Sequence, residues 1–330
     1  MEWLESLILG FVQGITEFLP VSSDGHLAIT QHGFAWLTGT PRGGRENLFF
    51  DVMLHVGTLV AILVHYRRSI REGARGLLFN DPEVAPGFDR ASVIRVGVLA
   101  AVATAPLVPF ALFFKDWVEG LFQSGAAAGV GFLITAAVLA LTSLKLVGPD
   151  GGKGPAETTW RDALLIGLAQ TLAPLPGVSR SGLTIAMALG LGLSRTWAVG
   201  FSLLIAVPAI SGAAVFELKD ALADPAALGL TPDRVAQTVV ATILAGLVGY
   251  AAIIWLIRVV QAGRVWYFSV YLVMLAVVVL GLVATMGEGD AGSTSNTLDR
   301  VAGRRDPGPS VDSLPRSPVG ALGRPVSARP

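Results

Sequence analysis

Two short stretches hold most of the groups able to do chemistry in an otherwise apolar chain. In the first, Gln13 and Glu17 stand one helical turn apart and project from the same face. The loop after Pro20 then returns two hydroxyls (Ser22, Ser23), a carboxylate (Asp24), a flexible Gly25 and an imidazole (His26). A hydroxyl flanked by carboxylate and imidazole suits a nucleophile with an acid or base beside it. The second stretch, PGVSRSGLT from Pro176 to Thr184, places Arg180 and three hydroxyls, Ser179, Ser181 and Thr184, at the start of a helix. Free amides and the dipole hold anions at a helix N-terminus, and the arginine fork binds phosphate bidentately. A phosphate ester is the natural occupant.

Blander readings stand beside these. Ser and Gly at a break in a membrane helix also let backbones approach, and Arg180 also reads as a plain ion-pair partner of Glu17. His32, His55 and His65 read as packing or interfacial residues, Asp51 as an N-cap or a functional group, and the seven Trp mostly as interfacial anchors.

The elements that must position these groups follow from composition. Of 330 residues 52% are hydrophobic and 15% charged, whereas a soluble domain has closer to a quarter charged. The excess apolar surface calls for lipid. Zero formal net charge gives no reason to expect nucleic acid as a partner, and the absence of cysteine excludes disulfides and thiol chemistry. Glu2 and Glu5 stand where a signal peptide has a basic region, so the N-terminus is expected to be mature structure.

A crossing helix needs about 20 mostly apolar residues. Six windows qualify: 49–66, 91–114, 122–145, 196–217, 235–257 and 265–286. Two further apolar regions, 3–38 and 162–194, are interrupted midway by the two chemical stretches and have no room for two crossings plus a turn. Re-entrant hairpins fit both. Basic residues test the layout, since Lys and Arg collect in cytoplasmic loops. Arg67, Arg68, Arg71, Arg75, Arg161 and Arg195 fall on one side, whereas the sparser Lys115, Lys219 and Arg234 lie on the other among acids. The N-terminus and the end of the last helix are therefore expected outside, and the segment between Arg161 and Arg195 is expected to enter and leave by the inner face.

GFVQGITEFLPVSSDGHLAIT from Gly10 and GLAQTLAPLPGVSRSGLTIAM from Gly167 align without gaps, with Gly10/Gly167, Gln13/Gln170, Val21/Val178, Ser22/Ser179 and Gly25/Gly182 identical. Each half reads as one hairpin followed by three crossings. Three is odd, so the second half is inverted, as in transporter-type folds with sites at helix breaks. The expectation is an all-α polytopic membrane protein with six crossing helices and two re-entrant hairpins. Residues 1–286 form the domain, with repeats at about 1–147 and 160–286; the Gly/Ser/Pro/Arg tail 287–330 is expected to be disordered.

With both loops in hand, the chain resembles the undecaprenyl-diphosphate phosphatase family, also known for bacitracin resistance. The match rests on QGITEFLPVSSDGH from Gln13 and PGVSRSGLT from Pro176, with looser likeness in FDVMLHVGTL from Phe50 and in 192–208. The resemblance implies hydrolysis of undecaprenyl diphosphate to the monophosphate and inorganic phosphate at the outer face of the cytoplasmic membrane, recycling the carrier lipid for cell-wall synthesis. It implies a divalent cation, Mg²⁺, as cofactor. Carried over by position, Glu17 is base or metal ligand, Ser23 the proposed nucleophile, His26 the essential imidazole, and Arg180 with Ser22, Ser179, Ser181 and Thr184 the phosphate-binding set. The expected partners are the polyprenyl diphosphate and the bilayer; a homodimer is compatible with this reading.

Two departures matter. Position 13 carries Gln where the family accepts Glu or Gln, and position 24 carries Asp in place of the usual Thr. An extra anion beside pyrophosphate costs about 4 kcal/mol at 4 Å and an effective dielectric of 20, so Asp24 is expected to join Glu17 and Gln13 as a metal ligand. The rival reading is a flippase for polyprenyl phosphate or another anion, which the inverted repeat also suits.

Overall fold

The computed structural model describes residues 3–39, 45–79, 85–122, 124–143, 151–223 and 231–286. A first hairpin, α1 (Trp3–Phe18) and α2 (Ser23–Thr38), leads into α3 (Arg45–His65), α4 (Arg67–Ala74), α5 (Arg90–Thr104), α6 (Leu107–Phe113), α7 (Lys115–Phe122) and α8 (Gly125–Ser143). The second hairpin, α9 (Trp160–Gln170) and α10 (Arg180–Gly190), precedes α11 (Arg195–Ala223), α12 (Pro232–Gln261) and α13 (Trp266–Met286). Among the described residues the regular elements are all helical. The tail 287–330, and with it the disorder expected there, lies outside them.

The hairpins break where local chemistry demands. Pro20 disfavours helical backbone at Leu19 and removes a donor, and Ser22 caps α2 by accepting from the Gly25 amide at 3.3 Å. In the second hairpin Ser179 accepts from the Gly182 amide at 3.1 Å. A capping box between Thr159 and Asp162 opens α9. With 16 residues in each of α1 and α2 and 11 in each of α9 and α10, these helices rise roughly 24 Å and 16 Å, short of a hydrocarbon core of about 30 Å.

Five stretches are long and apolar enough to cross a membrane: Arg90–Phe113, Ala126–Ser143, Arg195–Val215, Pro232–Gln261 and Trp266–Thr285. A sixth counts if Phe49–His65 and Arg67–Phe79, bent by 66°, form one span. The chain is thus a multi-pass membrane protein, and the hydropathy windows differ from it mainly at helix ends and breaks. The 91–114 window is split between α5 and α6 at Pro106, which has no N–H to continue the ladder. The helix expected over 235–257 runs on from Pro232 to Gln261, since a polar end turn is compatible with helix but invisible to hydropathy.

Small residues let the hairpins seat closely on the spans. A Cβ on Gly10 or Gly14 of α1 would come within 2.7 Å of the Ala241 or Ala245 carbonyl of α12. In the second hairpin, Gly167 of α9 meets the Ala103 carbonyl of α5 in the same way. Phe18, Leu139, Ile166 and Phe201 are fully buried between the helices, whereas Val98, Leu112, Ile243, Leu247 and Val277 are exposed, as a lipid-facing surface requires. Six of the seven Trp are exposed; Trp197 instead packs on Phe201 and donates to Thr158 Oγ1 at 2.8 Å.

Candidate active site

The turns of the two hairpins meet at Glu17. Its carboxylate is buried at the end of α1, and each oxygen is engaged from a different direction. Arg180 Nη2, at the start of α10, donates to Oε1 at 2.8 Å. Ser23 Oγ, at the start of α2, donates to Oε2 at 2.8 Å, and Gln13 Nε2, one turn back on α1, donates to the same oxygen at 3.0 Å. The expected shared face of Gln13 and Glu17 is thus a direct contact. A second bond ties the turns together: Ser181 Oγ donates to the Leu19 carbonyl at 3.1 Å.

Sequence reasoning set His55 aside as a packing residue, and the structure corrects this. His55 on α3 brings Nε2 to 3.6 Å from Glu17 Oε2 and 3.8 Å from Asp24 Oδ1. Its Nδ1 lies 2.8 Å from the Asp51 carbonyl, which can only accept, so Nδ1 carries a proton and Nε2 faces the two carboxylates. Asp51 is not the N-cap of its helix, because α3 begins at Arg45; its carboxylate accepts from Gln31 Nε2 at 3.0 Å. The spacing of two ionisable side chains, four residues apart in an apolar span, could have marked this face as polar but not named its partners.

His26 shares the loop with Ser23, but its ring nitrogens bond elsewhere. Nδ1 donates to the Ser22 carbonyl at 2.7 Å, and Nε2 lies 2.6 Å from the Tyr271 hydroxyl of α13. No sequence feature of Tyr271, in an apolar helix, set it apart. Ser22 holds φ 71°, ψ 102°, and among the described residues it alone takes a positive φ without being glycine. Such backbone costs on the order of 1–3 kcal/mol and persists only where its surroundings impose it.

The second-loop hydroxyls are buried and already partnered. Ser179 Oγ caps α10 and contacts Ser181 Oγ at 3.2 Å, while its amide donates to Thr135 Oγ1 of α8 at 3.0 Å. Thr184 Oγ1 lies 2.6 Å from Ser202 Oγ on α11. These groups hold the loop in shape, and Arg180 is the member of the set that reaches Glu17.

Two buried polar atoms beside Glu17 have no protein partner: Arg180 Nη1 and Gln13 Oε1. Buried polar groups rarely stay unpaired, so a free donor and a free acceptor on the two residues bonded to Glu17 suit a ligand. Among the described residues no three His, Asp or Glu side chains converge as a protein-only metal site. The oxygens of Glu17, Asp24 and Gln13 nevertheless fit a hard cation, which takes one or two carboxylates and completes its shell with water and phosphate. Charge also favours one, since among the described residues Arg180 is the one arginine or lysine paired with this carboxylate cluster.

The family described as bacitracin resistance protein BacA matches residues 6–278. Relatives named undecaprenyl-diphosphatase in Carboxydothermus hydrogenoformans, a Nocardioides species and Desulfosudis oleivorans are 39%, 38% and 40% identical over 288, 287 and 285 residues. These alignments span 86%, 86% and 85% of this chain and 98% of each relative. Both hairpin turns, and every side chain around Glu17 described above, fall inside the matched region, and the chain belongs to the BacA family of bacitracin resistance proteins.

Proposed function

We propose that this protein hydrolyses undecaprenyl diphosphate to undecaprenyl phosphate and inorganic phosphate, with its site open to the outer face of the cytoplasmic membrane. The observation that carries this reading is the continuous chain Ser23–Glu17–Arg180, which joins a hydroxyl, a carboxylate and a guanidinium across the two hairpins through contacts of 2.8 Å. In-line phosphoryl transfer needs little more than positioning and charge stabilisation. Glu17 orients Ser23 Oγ and takes its proton as the oxygen attacks the terminal phosphorus. The bond to the bridging oxygen breaks, undecaprenyl phosphate leaves, and water then releases phosphate from the serine. Arg180, turning its free Nη1 and then its whole fork to the phosphate, neutralises charge on the non-bridging oxygens. A divalent cation such as Mg²⁺, held by Glu17, Asp24 and Gln13 Oε1, supplies further neutralisation of the pyrophosphate when bound.

His26 enters with Nε2 as a lone pair, because its proton sits on Nδ1 against the Ser22 carbonyl. That tautomer suits accepting a proton or attacking phosphorus better than protonating the leaving group. The hairpins are the cores of an inverted repeat in this proposal; matching contacts of Gly10 with Ala241 and Gly167 with Ala103 support it. A transporter of the same lipid needs the anion clamp but not the Ser23–Glu17 pair. Phosphate release from undecaprenyl diphosphate by purified protein in detergent, with Ser23→Ala and His26→Ala alongside, separates the readings. Release that depends on Ser23 supports the enzyme, and no release from wild type removes it.

A further inference from the structure

The geometry points to Tyr271 as a positioning residue that holds His26 in its reactive tautomer and orientation; this rests on the proposed role of His26 in phosphoryl transfer. Three contacts fix the imidazole. The Ser22 carbonyl accepts from Nδ1 at 2.7 Å, Phe132 meets the ring edge-on with centroids 5.5 Å apart, and Tyr271 places its hydroxyl 2.6 Å from Nε2. A carbonyl cannot donate, so in the neutral imidazole the proton is on Nδ1 and the Tyr271 O–H donates to the Nε2 lone pair. The Tyr271 ring lies nearly parallel to the imidazole, at an interplanar angle of 14°.

Each clamp comes from a different element. The Ser22 carbonyl belongs to the loop that carries His26, but Phe132 comes from α8 and Tyr271 from α13, so two of the three contacts are tertiary. The Ser22 carbonyl points along α2, where it also accepts from the His26 amide at 3.3 Å. Tyr271 is 40% exposed, and a substrate group that displaced its hydroxyl would free Nε2. The hydroxyl therefore protects the lone pair and aims it until a phosphate arrives.

Tyr271→Phe keeps the ring and removes only the hydroxyl. The expected result is a roughly ten- to hundredfold fall in kcat for phosphate release with KM little changed, the size expected when a reacting group loses its orientation. In protein labelled with ¹⁵N-histidine, with the His26 signals identified by their loss in His26→Ala, wild type should show the Nδ1–H tautomer. Tyr271→Phe should shift it towards a mixture with Nε2–H. Tyr271→Leu, which also removes the ring, should lose no more kcat than Tyr271→Phe. Unchanged kcat in Tyr271→Phe, a change confined to KM, a loss seen only in Tyr271→Leu, or an unaltered tautomer would each overturn the proposal. Wild-type turnover in His26→Ala, with the tautomer still responding to Tyr271→Phe, would instead overturn the catalytic reading of His26 and leave the contact standing.

Discussion

Ser23 and Arg180 occupy the same station in the two hairpins, each the first helical residue behind a serine N-cap, and both bond to Glu17 at 2.8 Å. Ser23 reaches Oε2 and Arg180 reaches Oε1. One loop design thus presents a hydroxyl on one side of a carboxylate and a guanidinium on the other. A phosphate bound by the arginine fork would sit beside the serine oxygen without either helix moving far. The position equivalent to Glu17 in the second hairpin is Pro174, so the shared carboxylate comes from the first hairpin alone.

Arg180 tests whether this arrangement is a clamp or only an ion pair. Arg180→Ala should abolish nearly all phosphate release and also destabilise the protein by about 3–5 kcal/mol, because Glu17 is left buried without its cation. Arg180→Lys restores the charge but not the fork. It should recover most of the thermal stability in detergent while turnover stays at least about tenfold low, since bidentate phosphate contact is gone. Full recovery of both by lysine would reduce Arg180 to a structural partner.

The close seating of the hairpins makes a second prediction. Gly10→Ala drives a Cβ to 2.7 Å from the Ala241 carbonyl, a backbone atom that cannot step aside. Gly167→Ala meets the Ala103 carbonyl of α5 in the same manner. Each should lower stability by about 1–3 kcal/mol, the usual cost of overpacking. Gly33, in the exposed part of α2 with nothing near its missing Cβ, is the control. Gly33→Ala should be neutral or stabilise by up to about 1 kcal/mol, and thermal unfolding of the three variants in one detergent decides.

What the sequence disclosed about this site depended on whether the information was local. Gln13 and Glu17 are one turn apart on a helix, so their contact was readable from spacing alone. The breaks at Pro20 and Pro176 were equally local. His55 was misjudged because its meeting with Glu17 and Asp24 is created by the packing of α3 against the first hairpin, which no window on α3 contains. Asp51 failed as an N-cap for a related reason: the turn Arg45–Leu48 is too polar to register as membrane helix yet continues α3 backwards. Tyr271 was invisible, since a tyrosine in an apolar helix reads as interfacial until its neighbour is known.

Acid should loosen the base of the second hairpin at a defined point. Asp162 accepts from Lys153 Nζ at 2.9 Å and from the Thr159 amide and hydroxyl, both at 2.8 Å. Burial pushes this carboxyl up, but the Thr159 and Lys153 bonds outweigh it and hold it below its ordinary value of 3.8. A carboxylate depressed on folding adds stability that is fully present above the unfolded value and is lost as pH falls through the folded one. Nothing should therefore change here between pH 7 and about pH 5. Melting curves of wild type and Asp162→Asn should differ over that range and converge below 3.8. A constant gap down to lower pH would show that Asp162 contributes nothing through its charge.

Asp24 is the acidic group that the site must neutralise before a pyrophosphate can enter. Its side chain is 43% exposed, while that of Glu17 is 5% exposed, so Asp24 is the carboxylate nearer the solvent side of the cluster. Left without a cation it would repel the substrate by about 4 kcal/mol at 4 Å and an effective dielectric of 20. His55, 3.8 Å away, offsets that charge only when protonated. A divalent cation bound to the ionised carboxylate offsets it without a proton on histidine. Asp24→Thr should then raise the Mg²⁺ concentration giving half-maximal phosphate release several-fold, while the rate at saturating Mg²⁺ falls much less. If the repulsion matters and ligation does not, the same variant should lower KM for the lipid and leave the Mg²⁺ titration where it was. An unchanged titration with unchanged KM would mean that Asp24 faces neither the cation nor the pyrophosphate, and that Glu17 and Gln13 must hold the metal without it.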